Sequence, residues 1–238
     1  MSIKTKLKSR LSWLRVLRRY QIHIKLHYLY PLQHTRYGYI APTAQIETPV
    51  FLTNQANVYL EDRASIKSGF KLVNTSGKLI IKRDARIAIN CTVVTGNHVR
   101  ISGIPLGVGN VYHIGDIERD IIIGEECWIG VNVTLLSGAK VGRGAIIGGC
   151  SMVNKEIPPY AVAVGSPAKV IASTFSIDQI IEHEKTIYAP EERYSRAELE
   201  EIFNTHFDGK KSIGIDPTPE MKEQVASIAS SLGIKLYQ

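Results

Sequence analysis

From Ile123 to Pro158 an aliphatic side chain recurs at every sixth position: Ile123, Ile129, Leu135, Val141, Ile147 and Val153. Glycine usually follows it, and a small residue often stands four places on. A period of six is neither the 3.6 of an amphipathic helix nor the 2 of an alternating strand. Such short fixed periods mark a solenoid, in which each repeat stacks on its neighbours because it cannot bury its own apolar face. The pattern runs upstream in weaker form: Ile40, Ile46 and Leu52, a two-residue slip to Leu60, Ile66 and Leu72, and a longer slip to Ile81, Ile87 and Val93. The fourth place after each is Ala44, Val50, Ala56, Ala64, Phe70, Ser76, Ala85, Cys91 and Asn97. Most of these are small or apolar, as a narrow interior requires. Gly124, Gly130, Gly142 and Gly148 are expected at corners that need a positive φ, which glycine adopts without strain. Short parallel strands stacked at ~4.8 Å satisfy the whole pattern. An ordinary Gly- and Val-rich sandwich would not repeat six times at one period.

The start of the repeat at Ile40 and two departures from it set the domain boundaries. Residues 99–120 abandon the period in a polar, Gly-rich excursion, and such an excursion in a compact solenoid is commonly functional. Beyond residue 171 the repeat stops and helix signals take over. Ser176 followed by Gln179 reads as a capping box for a helix to about Tyr188, and a second short helix follows Ser195. A third starts at Thr218-Pro219, with Thr as N-cap, Pro at the first helical position and Gly233 just past its end. His183 between Glu182 and Glu184 reads as a surface residue. The chain thus divides into an arm (1–39), a coil domain (40–171) with its loop, and a helical extension (172–238).

Charge sharpens the reading of the arm. Residues 1–46 carry nine Lys or Arg and no acid, whereas the remainder holds twenty basic and twenty-two acidic residues, so a near-neutral body bears a basic arm. Ile3, Leu7, Leu11, Leu14 and Leu17 fall at helical spacing, with Trp13 beside them. Such a basic amphipathic helix suits either an anionic lipid surface or packing of its leucine stripe on the coils. Nucleic acid has no recognition motif here and is not an expected partner. No run of eighteen apolar residues occurs, charges interrupt every apolar run at the start, and the three cysteines read as small buried fillers in a reducing compartment. A cytoplasmic protein is expected.

The residues Cys127-Trp128-Ile129-Gly130, Leu135 to Gly142, Ile157-Pro158-Pro159-Tyr160 and Val164-Gly165-Ser166-Pro167-Ala168-Lys169 resemble those of the hexapeptide-repeat acyltransferases. The resemblance covers roughly residues 40–171. It implies a mainly β fold, a left-handed parallel β-helix shaped as a triangular prism with three hexapeptides per coil. It also implies a homotrimer with active sites in the grooves between subunits. The extension, with Glu182-His183-Glu184, Tyr188, Glu191-Glu192-Arg193 and Ser195 to Leu199, resembles that of the exopolysaccharide, capsule and lipopolysaccharide O-acetyltransferases of this family. A sugar unit of a surface polysaccharide or its precursor is the acceptor this implies. An amino sugar or another small molecule is the alternative.

His98 stands at the root of the loop, where Thr95-Gly96-Asn97-His98, a loop and then Trp128-Ile129-Gly130 resemble the family's catalytic segment. An imidazole can take a proton at neutral pH and return it, as acyl transfer to a hydroxyl requires. The resemblance makes His98 the general base in direct transfer from acetyl-CoA. It places the oxyanion donor at the Val131 backbone N–H and the pantetheine beside Trp128, near the backbone of Gly149 and Ser151. Lys155 and Lys169 fall where the family keeps basic residues against the CoA phosphates. Asp116, Asp120 or a backbone carbonyl is expected to orient His98. No metal is expected: zinc needs three protein ligands, and only His98 and His113 lie in the coil region unless His23, His27 or His34 folds back.

Overall fold

The computed structural model describes the backbone of residues 3–237 and the side chains of residues 13, 14 and 16–237. Three parallel sheets form the body, and consecutive strands belong to successive sheets, so the chain winds around a three-sided prism. Tyr39–Ile40, Val58–Leu60, Leu79–Ile81, Ile121–Ile123, Lys140–Val141 and Glu156–Ile157 stack as the first face. The second face runs from Gln45–Ile46 to Ala161–Val164, and the third from Phe51–Leu52 to Met152–Val153. An antiparallel strand, Lys169–Ser173, closes the second face by pairing with Ala161–Val164.

The sixth-position aliphatics line the interior as columns. Leu60, Ile81, Ile123, Val141 and Ile157 form one, Ile66, Ile87, Ile129 and Ile147 a second, and Leu72, Val93, Leu135 and Val153 a third, all buried. Each isoleucine or leucine so buried contributes roughly 1.5–3 kcal/mol.

The two register slips have a single origin. From the first face to the second, and from the second to the third, the step is always six residues; all the variation falls where the third face returns to the first. Eight residues separate Leu52 from Leu60, nine separate Leu72 from Ile81, and the 99–120 excursion leaves from this same edge. Ala56, Ser76 and Asn97, expected inside, are consequently exposed on it. Val58, Leu79 and Ile121 fill their interior places.

The glycines following the aliphatic residues do not have positive φ. The left-handed residue is instead the third after an aliphatic at many first- and second-face corners: Arg63, Asp84, Asn90, Glu126, Asn132, Cys150, Tyr160, Gly69 and Gly144. Gly124, Gly130 and Gly142 are required by the next coil instead. A Cβ on Gly124 would lie 2.8 Å from Arg143 N, on Gly130 2.7 Å from Gly149 N, and on Gly142 2.5 Å from Pro159 N. Cys91 and Cys127 are buried as expected, and burial pushes the Cys127 thiol up to about 12. Cys150 is exposed, because it occupies a corner.

Helices flank the prism: α1 (Ile3–Ile24), α2 (Leu106–Val111) inside the excursion, α3 (Ile177–Ile187), α4 (Arg196–His206) and α5 (Pro219–Ser231). The Ser176–Gln179 capping box forms, Thr218 caps α5, and Gly233 has φ +64°. The stripe positions Ile3, Leu7 and Leu11 lie outside the described side chains; Trp13, Leu14 and Leu17 are exposed. No described helix is long and apolar enough to cross a membrane.

The extension is locked to the coils by buried charge. Glu184 is 1% exposed and accepts from Arg143 Nη1 at 3.0 Å, Tyr160 OH at 2.7 Å and Tyr194 N at 2.6 Å. His183 is not a free surface residue. Its Nε2 lies 3.1 Å from Glu126 Oε2, and its ring packs on Phe175 at 5.1 Å.

Candidate active site

Where the third face returns to the first, buried Thr95 leads into a two-residue ribbon. Gly96–Asn97 pairs antiparallel with Ile117–Glu118, Gly96 opposite Glu118 and Asn97 opposite Ile117. His98 follows the outgoing leg and Asp116 precedes the return leg, so the ribbon's register sets the two side chains against each other. His98 Nδ1 lies 2.8 Å from Asp116 Oδ2, and Asp116 Oδ1 accepts the Val99 N–H at 3.2 Å. His113 Nδ1 reaches the same Oδ2 at 3.0 Å. Burial pushes the Asp116 carboxyl up, but the hydrogen bonds from His113, His98 and Val99 N–H outweigh it and hold it below the usual carboxylate range. A carboxylate can only accept, so in a neutral His98 the proton sits on Nδ1 and the lone pair on Nε2. The His98 side chain is 49% exposed. An imidazole held from behind at Nδ1, with its ring half-exposed, results. Asp120 does not orient it; its Oδ1 accepts the Lys78 N–H at 2.8 Å.

The ligand atoms of His98, His113 and Asp116 lie within 4.8 Å of one another, so the third ligand-capable group near the loop is Asp116. His27 folds instead onto Phe51, their rings 5.4 Å apart, and His23 lies against His27 with its ring tilted by 36°. Both imidazole Nδ1 atoms are engaged with the Asp116 carboxylate.

The other expected site residues divide between two edges of the prism. Trp128 is 56% exposed on the outer side of the second face, in a column with Arg86, Ile146 and Val162. Val131 and Gly149 meet at the edge between the second and third faces, where a Cβ on Gly149 would lie 3.2 Å from Val131 Cγ2. The Val131 N–H makes no backbone hydrogen bond among the described residues. Lys169 is exposed on the closing strand of the second face. Lys155, also exposed, follows Met152–Val153 and so shares the edge of His98. Ser151 is buried; its Oγ accepts the Gly165 N–H at 3.0 Å, strapping the closing hairpin to the third face, and its backbone carbonyl accepts the Thr134 N–H at 2.9 Å. One strand of the third face separates His98 from Val131, roughly 15 Å or more at ~3.3 Å per residue. A single copy therefore does not bring His98 together with Trp128, Val131 and Gly149.

Comparison with known proteins agrees with this architecture. Residues 120–155 match the family described as bacterial transferase hexapeptide (six repeats). A Lysinibacillus sphaericus protein named "Probable macrolide acetyltransferase" is 34% identical over 151 residues, 54% of this chain and 84% of that one. A chloramphenicol acetyltransferase of Morganella morganii is 46% identical over 61 residues, but these span only 26% of this chain and 29% of the relative. In fold, the chain is similar to the hexapeptide-repeat acetyltransferase VCA0836 of Vibrio cholerae O1 biovar eltor, crystallised with acetyl-CoA. That likeness has a TM-score of 0.57 at 18% identity and covers 66% of this chain and 85% of that one. With a three-sided parallel coil, a histidine–aspartate pair at the root of its excursion and a relative matched over most of its length, the chain belongs to the hexapeptide-repeat acetyltransferases.

Proposed function

We propose that the protein transfers the acetyl group of acetyl-CoA to a hydroxyl on a sugar unit of a surface polysaccharide or its precursor, with His98 as general base. The observation that carries the reading is the half-exposed His98 whose Nδ1 is held by Asp116 at 2.8 Å. Nε2 takes the proton of the acceptor hydroxyl as its oxygen attacks the thioester carbonyl. The tetrahedral oxyanion is met by the Val131 N–H, a type of contact worth ~3 kcal/mol. Collapse expels the CoA sulfur, which receives the proton from His98. No acyl-enzyme is needed: Cys91 and Cys127 are buried with their thiols pushed up by burial, and the exposed Cys150 sits at the corner between the second and third faces, on a different edge from His98.

The division of the site between two edges supports a trimer. One copy contributes His98 and Lys155, and the neighbouring copy contributes Trp128, Val131, Gly149 and Lys169, with CoA running in the groove between them. The extension's resemblance to those of polysaccharide O-acetyltransferases supports the sugar acceptor. The basic arm, with Trp13, Leu14, Leu17 and Tyr20 exposed beside Arg18 and Arg19, supports a cytoplasmic position against the inner face of the membrane.

The relatives named as macrolide and chloramphenicol acetyltransferases favour a second reading, acetylation of a small hydroxylated molecule at the same base. Thiol release from acetyl-CoA, measured against nucleotide-linked sugars, lipid-linked oligosaccharides and a macrolide, separates the two. Turnover confined to the sugars supports the first reading, and turnover confined to the macrolide replaces it with the second.

A further inference from the structure

The pairing of His98 with Asp116 depends on a two-residue ribbon, and two residues of antiparallel pairing are too few to hold themselves in water. Something else must fix the root of the excursion. The structure gives that task to one side chain, that of Glu118, the ribbon residue opposite Gly96.

The Glu118 carboxylate turns down onto the neighbouring coil and fills a concavity of consecutive backbone N–H groups. Oε1 accepts from Thr75 N at 2.9 Å, and Oε2 accepts from Ser76 N at 2.8 Å, from Gly77 N, and from the buried Thr95 hydroxyl at 3.1 Å. Successive N–H groups of this kind form an anion-binding nest, and a carboxylate accepting several of them stays ionised. Burial pushes the Glu118 carboxyl up, yet the bonds from Gly77, Ser76, Thr95 and Thr75 hold it below the usual range. The surrounding residues are cut to admit it. A Cβ on Gly77 would lie 2.6 Å from Thr95 Cβ and 3.0 Å from Glu118 Oε2, and a Cβ on Gly96 3.1 Å from Glu118 Cγ and Oε1. Arg119 N donates to Thr95 O at 3.0 Å and Asp120 accepts from Lys78 N, so the return leg is tied down at three successive residues.

We infer that Glu118 is a positioning residue for the acetyl transfer: its carboxylate, seated in the Thr75–Gly77 nest, fixes the ribbon register that sets Asp116 against His98. Glu118 touches neither His98 nor the reacting atoms, and it acts only by holding Asp116 two residues away. This rests on His98 as the base, but the geometric part can be read without any substrate.

The test uses the full-length protein with ¹⁵N-labelled histidine. In the parent, the His98 resonances, assigned by their loss in His98→Ala, should show the Nδ1–H tautomer. In Glu118→Ala they should move to the averaged values of a free imidazole, as in Asp116→Ala. With an acceptor that turns over, Glu118→Ala should lower kcat 10- to 100-fold and leave KM for acetyl-CoA within twofold. Thr95→Val, nearly isosteric and lacking a single bond to Glu118, should shift the same resonances partway and lower kcat a few-fold; it serves if Glu118→Ala does not fold. A parent-like tautomer in the variants overturns the inference, whether or not kcat falls, and so does a raised KM at unchanged kcat. A tautomer that averages while kcat stays at the parent level keeps the positioning and removes His98 as base.

Discussion

Gly142→Ala isolates what the repeat's glycines do. The added methyl carbon would stand 2.5 Å from Pro159 N and 2.8 Å from both Pro158 C and Pro159 Cα, all backbone atoms of the next coil. Those atoms cannot rotate aside as a side chain would, and Gly142 N itself donates to Ile157 O at 2.9 Å, which fixes the spacing between the coils. Overpacking typically costs 1–3 kcal/mol, so a wall made only of backbone puts this site at about 3 kcal/mol. For a chain of this size that lowers the thermal midpoint by roughly 6–12 °C. Cys150→Gly is the paired measurement. Cys150 is exposed at φ +60°, where a left-handed residue costs roughly 1–2 kcal/mol. Glycine removes that strain but adds a comparable loss of chain entropy, so the midpoint should move by less than about 4 °C. Scanning calorimetry reads both. A Gly142→Ala protein melting with the parent would refute the backbone-contact account, as would a Cys150→Gly protein that loses as much.

Three further outcomes follow from the same geometry. Because His98 and the pair Trp128 and Val131 lie on different edges, refolding inactive His98→Ala together with an inactive Trp128→Ala should restore a fraction of activity in mixed oligomers; none regained would place the site within one copy. Lys169→Ala should raise KM for acetyl-CoA several-fold with kcat nearly unchanged, and an unaltered KM would remove Lys169 from the CoA groove. The folded Glu118 carboxyl lies below its ordinary value of about 4.3, so its stabilisation is fully present above pH ~4.5 and is lost as pH falls through the depressed value. Glu118→Gln should therefore lose less of its thermal midpoint than the parent between pH 5 and pH 3, whereas parallel curves would contradict the nest.

The coil was legible in the sequence because a prism repeats one physical demand, an inward aliphatic every six residues, and each face states it again. The meaning of the glycines was not legible. A glycine needed for φ and a glycine needed for a close backbone approach look identical in sequence, and only the coil beneath Gly124 or Gly142 tells them apart. His98 was visible as a candidate because the period breaks beside it. The loop has no period, so nothing distinguished Asp116 from Asp120 as its partner, and Glu118 drew no notice since its ligands, Thr75 to Gly77, lie some forty residues upstream. Nor could Glu184 be seen as buried, for its partner Arg143 sits in a corner of the coil that the helical pattern does not predict. The sequence alone did not show which edge of the prism each expected site residue would occupy; that follows from the strand order, which sets His98 and Lys155 on a different edge from Val131 and Gly149.

The most direct test of the account compares the parent with His98→Ala, measuring acetyl-CoA binding by calorimetry and thiol release with whichever acceptor turns over. Unchanged binding with kcat reduced at least 100-fold is the predicted result; a variant that turns over at the parent rate would contradict His98 as the base and with it the proposed mechanism.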